Sequence, residues 1–232
     1  MPRYRFEYKY FINIHVATLL RSRIVGIMHP DSHTGGRYVV NNIYLDDQYD
    51  SFYYAKHMGQ LQRNKYRIRY YNNDLSFIRL ERKHKDGLLS YKESVQVSQA
   101  QLQMINNGDL SFVYDESEPL WQELGLIHSM RRLRPSASYA YKREAFVYDP
   151  GDVRFTFDSP PFNPDDGHIF KNDHLSCSYG QEDYYPLMLE VKYTRFLPEV
   201  IQRLLHGLPL AHRGISKYCI VRERGILPYG KI

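Results

Sequence analysis

The segment Lys65-Tyr66-Arg67-Ile68-Arg69-Tyr70 alternates strictly between cations and apolar or aromatic residues. In an extended strand, side chains two apart share a face, so all three positive charges lie together, opposite two tyrosines and an isoleucine. The same period recurs along the chain. Arg5-Phe6-Glu7-Tyr8-Lys9-Tyr10, Phe77-Ile78-Arg79-Leu80-Glu81-Arg82-Lys83, Tyr139-Ala140-Tyr141-Lys142-Arg143, Val153-Arg154-Phe155-Thr156-Phe157-Asp158 and Leu187-Met188-Leu189-Glu190-Val191-Lys192 each offer a charged face and an apolar one.

A sheet with one face in water accounts for any one of these strands. It does not account for the set. The charged faces are mostly positive, whereas a solvated face mixes signs to limit repulsion between strands. Their acids, Glu7, Glu81 and Glu190, each stand two residues before a lysine. Amphipathic helices elsewhere need apolar sheet surface, and the aromatic faces supply it. An inside-out barrel satisfies these conditions, with helices packed outside and charge lining the bore. The fold class is therefore α+β and β-dominated, an antiparallel barrel or tunnel with a basic interior. Such a bore repels itself when empty. It is expected to hold a polyanion, with carboxylates placed to bind metal.

Helical spacing covers 15–28, 116–133 and the short stretch 50–58; Ser98 is a cap for 99–106, and Pro198 opens a turn carrying Val200, Ile201, Leu204 and Leu205. The polar, proline-rich stretch 159–180 reads as an exposed loop. With no repeat or linker, the chain reads as one domain over 1–232 with a short tail from 222. Net charge is +5, which favours an anionic partner without choosing among nucleic acid, membrane and polyphosphate. Cys177 and Cys219 have no metal-ligand spacing and suit reduced thiols of a cytoplasmic protein. No apolar run is long enough to span a bilayer. A phosphate-cradling glycine loop is missing from the sequence, so a nucleotide would be held by side chains.

The charged strands together resemble the triphosphate tunnel metalloenzymes, and within them the VTC-type polyphosphate polymerases. The resemblance runs from Arg5 to about Val221. It is carried by Glu7-Tyr8-Lys9-Tyr10, Arg67-Ile68-Arg69-Tyr70, Leu80-Glu81-Arg82-Lys83 with Lys92, Tyr139 to Arg143, Arg154 to Asp158, Leu189-Glu190-Val191-Lys192 and the closing Ser216-Lys217-Tyr218. It implies an eight-stranded antiparallel tunnel, binding ATP or triphosphate with Mn²⁺ or Mg²⁺. In the VTC branch it implies transfer of the terminal phosphate of ATP to polyphosphate.

The resemblance makes Arg67, Arg69, Lys83, Arg143, Arg154 and Lys217 the candidate catalytic residues. Lys9, Arg79, Lys92, Tyr141, Lys192, Arg213 and Ser216 are the candidate substrate ligands. Glu190, then Glu7 and Glu81, are the candidate metal ligands, with Asp158 a further carboxylate. The wider superfamily opens with Glu-x-Glu-x-Lys, and here Arg5 replaces the first acid. That change lowers metal capacity, raises phosphate affinity and tilts away from a two-metal hydrolase. Triphosphate hydrolysis and non-catalytic polyphosphate binding are the alternatives, and nucleic acid is not an expected partner. Eukaryotic members add a phosphate-sensing domain and a membrane segment; this chain has neither, so a membrane partner is expected to translocate the product.

Overall fold

The computed structural model describes residues 4–87, 89–163 and 187–223. Among these residues, nine strands form one antiparallel sheet: β1 (Arg5–Ile12), β2 (His29–Pro30), β3 (Arg37–Asp46), β4 (Gln62–Tyr71), β5 (Asp74–Asp86), β6 (Leu89–Val97), β7 (Arg134–Tyr148), β8 (Val153–Asp158) and β9 (Leu187–Tyr193). Neighbours run β2-β7-β3-β4-β5-β6-β1-β9-β8, and β7 also pairs with β8. Eight strands thus close into a ring, and the two-residue β2 adds to β7 beyond the point where β3 leaves it. Closure removes the open sheet edges that invite aggregation. Much of the loop expected over 159–180, and the tail from 224, fall outside the described residues.

Residues directly opposed across an antiparallel ladder share a face, so register sorts the side chains. Outward go Ile43 and Leu45 of β3, Tyr66 and Ile68 of β4, and Ile78 and Leu80 of β5. They pack against α3 (Gln99–Asn106) and α4 (Pro119–Arg131) through Leu102, Ile105, Trp121 and Leu124. On the other side of the ring, Phe155, Phe157, Leu189 and Val191 meet α1 (Ile14–Ile24) and α5 (Glu199–Leu205) through Ala17, Leu20, Ile201 and Leu204. Each fully buried large apolar side chain here contributes roughly 1.5–3 kcal/mol. The core therefore lies between barrel and helices, and the bore is free to be polar. The helix termini follow the expected signals: Ser98 and Gln101 form a reciprocal cap at the start of α3, and Pro198 caps α5.

Two further helices behave differently. The short α2 (Ser51–His57) is anchored by Asp46, whose carboxylate accepts from the backbone N–H groups of Phe52 and Tyr53 and from the Tyr218 hydroxyl. Tyr218 belongs to α6 (Lys217–Glu223), which has no counterpart among the expected helices. Nor does α6 pack outside. It meets inward-facing Tyr44, Tyr139 and Tyr141, and so closes over one side of the bore. Its polar start hid it: the resemblance made Ser216 and Lys217 ligands, and a seven-residue helix shows too few turns for a period.

Candidate functional site

A cavity of about 140 Å³ lies in the bore. Lysine and arginine dominate its lining, and its acids are Glu7 and Glu190. The register explains the crowding. Arg63 faces Lys85, Lys65 faces Lys83, Arg69 faces Arg79, Lys83 faces Lys92 and Arg154 faces Lys192, each pair directly opposed on neighbouring strands. Like charges in that relation are destabilising.

Carboxylates offset part of this. Lys9 lies 3.0 Å from Glu7 and 3.3 Å from Glu190, while Lys192 lies 2.8 Å from Glu190 and Lys83 bonds Glu7. Burial and Glu190 push the Glu7 carboxyl up, but Lys83, Lys9 and Lys192 outweigh them and hold it at about 2. Glu190 is likewise pushed up by burial and pulled well below the usual range, by Lys192 and Lys9 foremost. Arg143 grips Asp158 with a two-pronged contact at 2.6 and 2.7 Å, and Lys217 reaches the same carboxylate at 2.6 Å. Arg143 and Lys217 overcome the burial of Asp158 and bring it to about 2. Lysines with less compensation move the other way. Burial lowers Lys65 and Lys83 to about 8 each, with further repulsion from Lys9.

The cavity brings together Lys9, Arg67, Arg69, Lys83, Tyr141, Arg143, Lys192, Arg213, Ser216 and Lys217, with Glu7 and Glu190. Arg69 is fixed by Asn42 at 3.0 and 2.9 Å and by the Tyr141 hydroxyl at 3.3 Å. Ser216 accepts from Lys65 at 2.7 Å, and the Arg213 backbone N–H donates to the Lys9 carbonyl, tying the segment before α6 to β1. Four expected site residues are placed around the cavity rather than in its lining. Glu81 accepts from Arg67 at 2.8 Å and from Lys92 at 2.7 Å. Arg154 donates to Tyr38 and approaches Asp31, both at 2.7 Å, and Arg79 lies over the Phe77 ring. Arg5 turns to Asp152 at 2.9 Å, so its replacement of an acid removes a carboxylate from the wall without adding a cation to the cavity.

Residues that sequence reasoning did not single out also line it: Lys56, Arg63, Lys85 and Tyr44. Arg63 and Lys85 continue the parity of Lys65 and Lys83, so the pattern contained them. Lys56 sits on α2 and Tyr44 in an uncharged stretch of β3, and neither carries a signal in the sequence.

Among the described residues, no group of three or more His, Cys, Asp and Glu side chains converges on a metal position. The bore offers instead the Glu7–Glu190 pair, two ionised carboxylates brought together on either side of the Lys9 ammonium. Two carboxylates suit Mg²⁺ or Mn²⁺, which draw their remaining ligands from water and phosphate oxygens. Glu81 is surrounded by Arg67, Arg69 and Lys92.

A closed antiparallel barrel with helices outside, a cationic bore and a carboxylate pair within it defines a triphosphate-tunnel protein. Within that class the chain belongs to the VTC domain family, whose family model matches residues 4–224. Curated protein sequences yield no match. Among solved structures, a Hippeastrum protein named as a candidate adenylyl cyclase, with a dominant triphosphatase activity, is similar at a TM-score of 0.60 and 14% identity, covering 97% of each chain. A candidate adenylate cyclase from Bacillus halodurans is similar at 0.49 and 13% identity, covering 98% of this chain and 93% of its own. A Pyrococcus horikoshii protein is similar at 0.49 and 12%, covering 95% and 99%. No helix among the described residues is long and apolar enough to cross a membrane.

Proposed function

We propose that the chain is a metal-dependent polyphosphate polymerase, passing the terminal phosphoryl group of ATP to a polyphosphate chain held in the bore. The like-charged pairs opposed across β4, β5 and β6 carry this reading. An empty barrel is destabilised by them, whereas a linear polyanion converts the same repulsion into binding energy. The row Lys65, Lys83, Lys92 crosses three adjacent strands, which suits an extended chain of phosphates better than a single compact anion.

In the proposed reaction an oxygen at the end of the acceptor chain attacks the terminal phosphorus of ATP. The bond from that phosphorus to the bridging oxygen breaks, and ADP leaves. The attacking oxygen is already anionic, so positioning and charge neutralisation supply the catalysis. Arg67, Arg69 and Arg143 present guanidinium forks, with Lys83 and Lys217 as point charges and Arg154 backing Lys192 from β8. Glu190 and Glu7 are the residues to hold Mg²⁺ or Mn²⁺, which neutralises charge on phosphate oxygens when bound. Lys9, Lys192, Tyr141, Arg213 and Ser216 orient the substrate, with Arg79 and Lys92 toward its ends.

Hydrolysis is the second reading, with water as acceptor in the same tunnel. The activity named for the Hippeastrum neighbour favours it. Incubating the protein with ATP and Mn²⁺ or Mg²⁺ and resolving products by size separates the readings. Long phosphate chains are expected; orthophosphate alone selects the hydrolase, and tight binding without turnover leaves a binding module.

A further inference from the structure

Three of the five N–H donors of Arg67 are engaged within the bore. Its Nε lies 2.8 Å and its Nη2 2.7 Å from Glu81, and its Nη1 donates to the Tyr44 hydroxyl oxygen at 3.0 Å. A phosphate that takes the Nη1–Nη2 edge competes with Tyr44 for Nη1 and with Glu81 for Nη2. Glu81 is buried and also bound by Lys92 and Arg69, so it is the costlier to remove. Tyr44 lines the cavity and faces Arg67 directly across the β3–β4 ladder.

The charged groups that act most on Tyr44 are cations. Lys65, Arg67 and Arg69 face it from β4, Lys9 from β1, Tyr139 from β7 and Tyr218 from α6. The carboxylates nearby pair with these groups instead, Glu81 with Arg67 and Arg69, Glu7 and Glu190 with Lys9, and Asp46 with the Tyr218 hydroxyl. The Tyr44 ring is clamped, stacked on Tyr218 at 4.7 Å and on Tyr139 at 5.9 Å between centroids. Its oxygen therefore stays against the cations. Burial pushes the hydroxyl up, but Arg67, Lys65 and Arg69 outweigh burial and bring it to about 7.

We propose that Tyr44 is a proton-linked positioning residue, a phenolate stand-in for a phosphate oxygen that holds Arg67 in the ligand-free tunnel and releases it on protonation when phosphate enters. The inference rests on the reading of the bore as a triphosphate site. The proton comes from solvent and goes to the Tyr44 oxygen; no bond to phosphorus is made or broken there. An entering anion disfavours the phenolate, so binding takes up a proton wherever the free protein is ionised at Tyr44. Affinity for tripolyphosphate then falls as pH rises above about 7, by up to about tenfold per pH unit.

Tyrosinate has its own near-ultraviolet absorption band, which makes the step visible. Titrating the protein with tripolyphosphate at about pH 8 is expected to remove the absorbance of one tyrosinate at saturation, with no such loss in Tyr44→Phe. Saturation without that loss, or an equal loss in the variant, overturns the inference. The wild-type protein, titrated without ligand, supplies a measurement independent of any variant or activity. One phenolate forming near pH 7 supports the inference, and no ionisation below about pH 9 overturns it. Absence of tripolyphosphate binding alongside a phenolate near pH 7 refutes the reading of the tunnel and the release step, not the charge state of Tyr44.

Discussion

Glu7 and Glu190 share a single ammonium: Lys9 lies 3.0 Å from one carboxylate and 3.3 Å from the other. The β1–β9 register produces this, setting Lys9 opposite Glu190 and Glu7 opposite Lys192 in a checkerboard. Two carboxylates side by side would ordinarily compete for a proton. Here Lys9, Lys83 and Lys192 keep both ionised, which is the state a divalent cation requires.

Glu190→Gln keeps the size of the side chain and removes one charge of this pair. Metal-dependent turnover of ATP is expected to fall by on the order of 10²-fold or more. Tripolyphosphate binding in metal-free buffer is expected to stay the same or tighten, because Lys9, Lys192 and Arg143 lose a competitor. Steady-state kinetics with and without added metal, alongside calorimetric titration, check both halves. Equal loss of metal-free binding would count against a metal role.

Ligand-free protein carries the repulsion of five opposed like-charge pairs, so polyanion should stabilise it strongly. At a hundredfold excess over its dissociation constant, tripolyphosphate contributes about 2.7 kcal/mol. For a chain of this length that corresponds to a rise in melting temperature of roughly 5–10 °C. Thermal melts against ligand concentration measure it, with orthophosphate as the short-anion comparison and a smaller expected shift. A similar shift for both would argue against a site built for a chain.

Strand parity made the inside-out barrel legible because it needs only a period of two and the sign of each charge. The alternation in 65–70 sends Tyr66 and Ile68 to the core and Arg67 and Arg69 to the bore, as the register confirms. Helix caps were legible for the same local reason at Ser98 and Pro198. Pairing was not. That Arg143 closes on Asp158, or that Arg154 turns to Asp31 and Tyr38, depends on strands far apart in sequence. Nor does a uniform tyrosine content reveal which ring meets three cations, and that position on β3 emerges only once β4 lies beside it.

The buried charges also predict an unusual pH profile for the ligand-free protein. Burial lowers Lys65, Lys83 and Lys85 from 10.5 to about 8 each. Between those values the unfolded chain binds more protons, so folding stability rises with pH. On the acid side, Glu7 and Asp158 sit at about 2 against ordinary values of 4.5 and 3.8. Their contribution is complete above the ordinary values and is lost as pH falls through about 2. Melting temperature is therefore expected to drop below about pH 4 and to climb between about pH 8 and 10, while tripolyphosphate affinity falls over that alkaline range. A melting temperature that falls steadily from pH 8 to 10 would contradict the lowering of these lysines by burial.

Leu80 and Lys83 lie on opposite faces of β5 and separate stability from function within one strand. Leu80 is fully buried against the helices outside the ring, so Leu80→Ala is expected to cost about 2–5 kcal/mol through lost burial and a cavity. Its effect on tripolyphosphate affinity should be small, since no bore residue moves. Lys83 faces Lys65 on one side and Lys92 on the other, and bonds Glu7. Lys83→Met removes two opposed like-charge contacts and leaves Glu7 with Lys9, so melting temperature in the absence of ligand should hold or rise. Tripolyphosphate affinity should drop by about tenfold or more, in keeping with about 1.5–3 kcal/mol for a hydrogen bond to a charged group. Melts and binding isotherms on the two variants test the division, and it fails if Lys83→Met destabilises the ligand-free barrel as much as Leu80→Ala does.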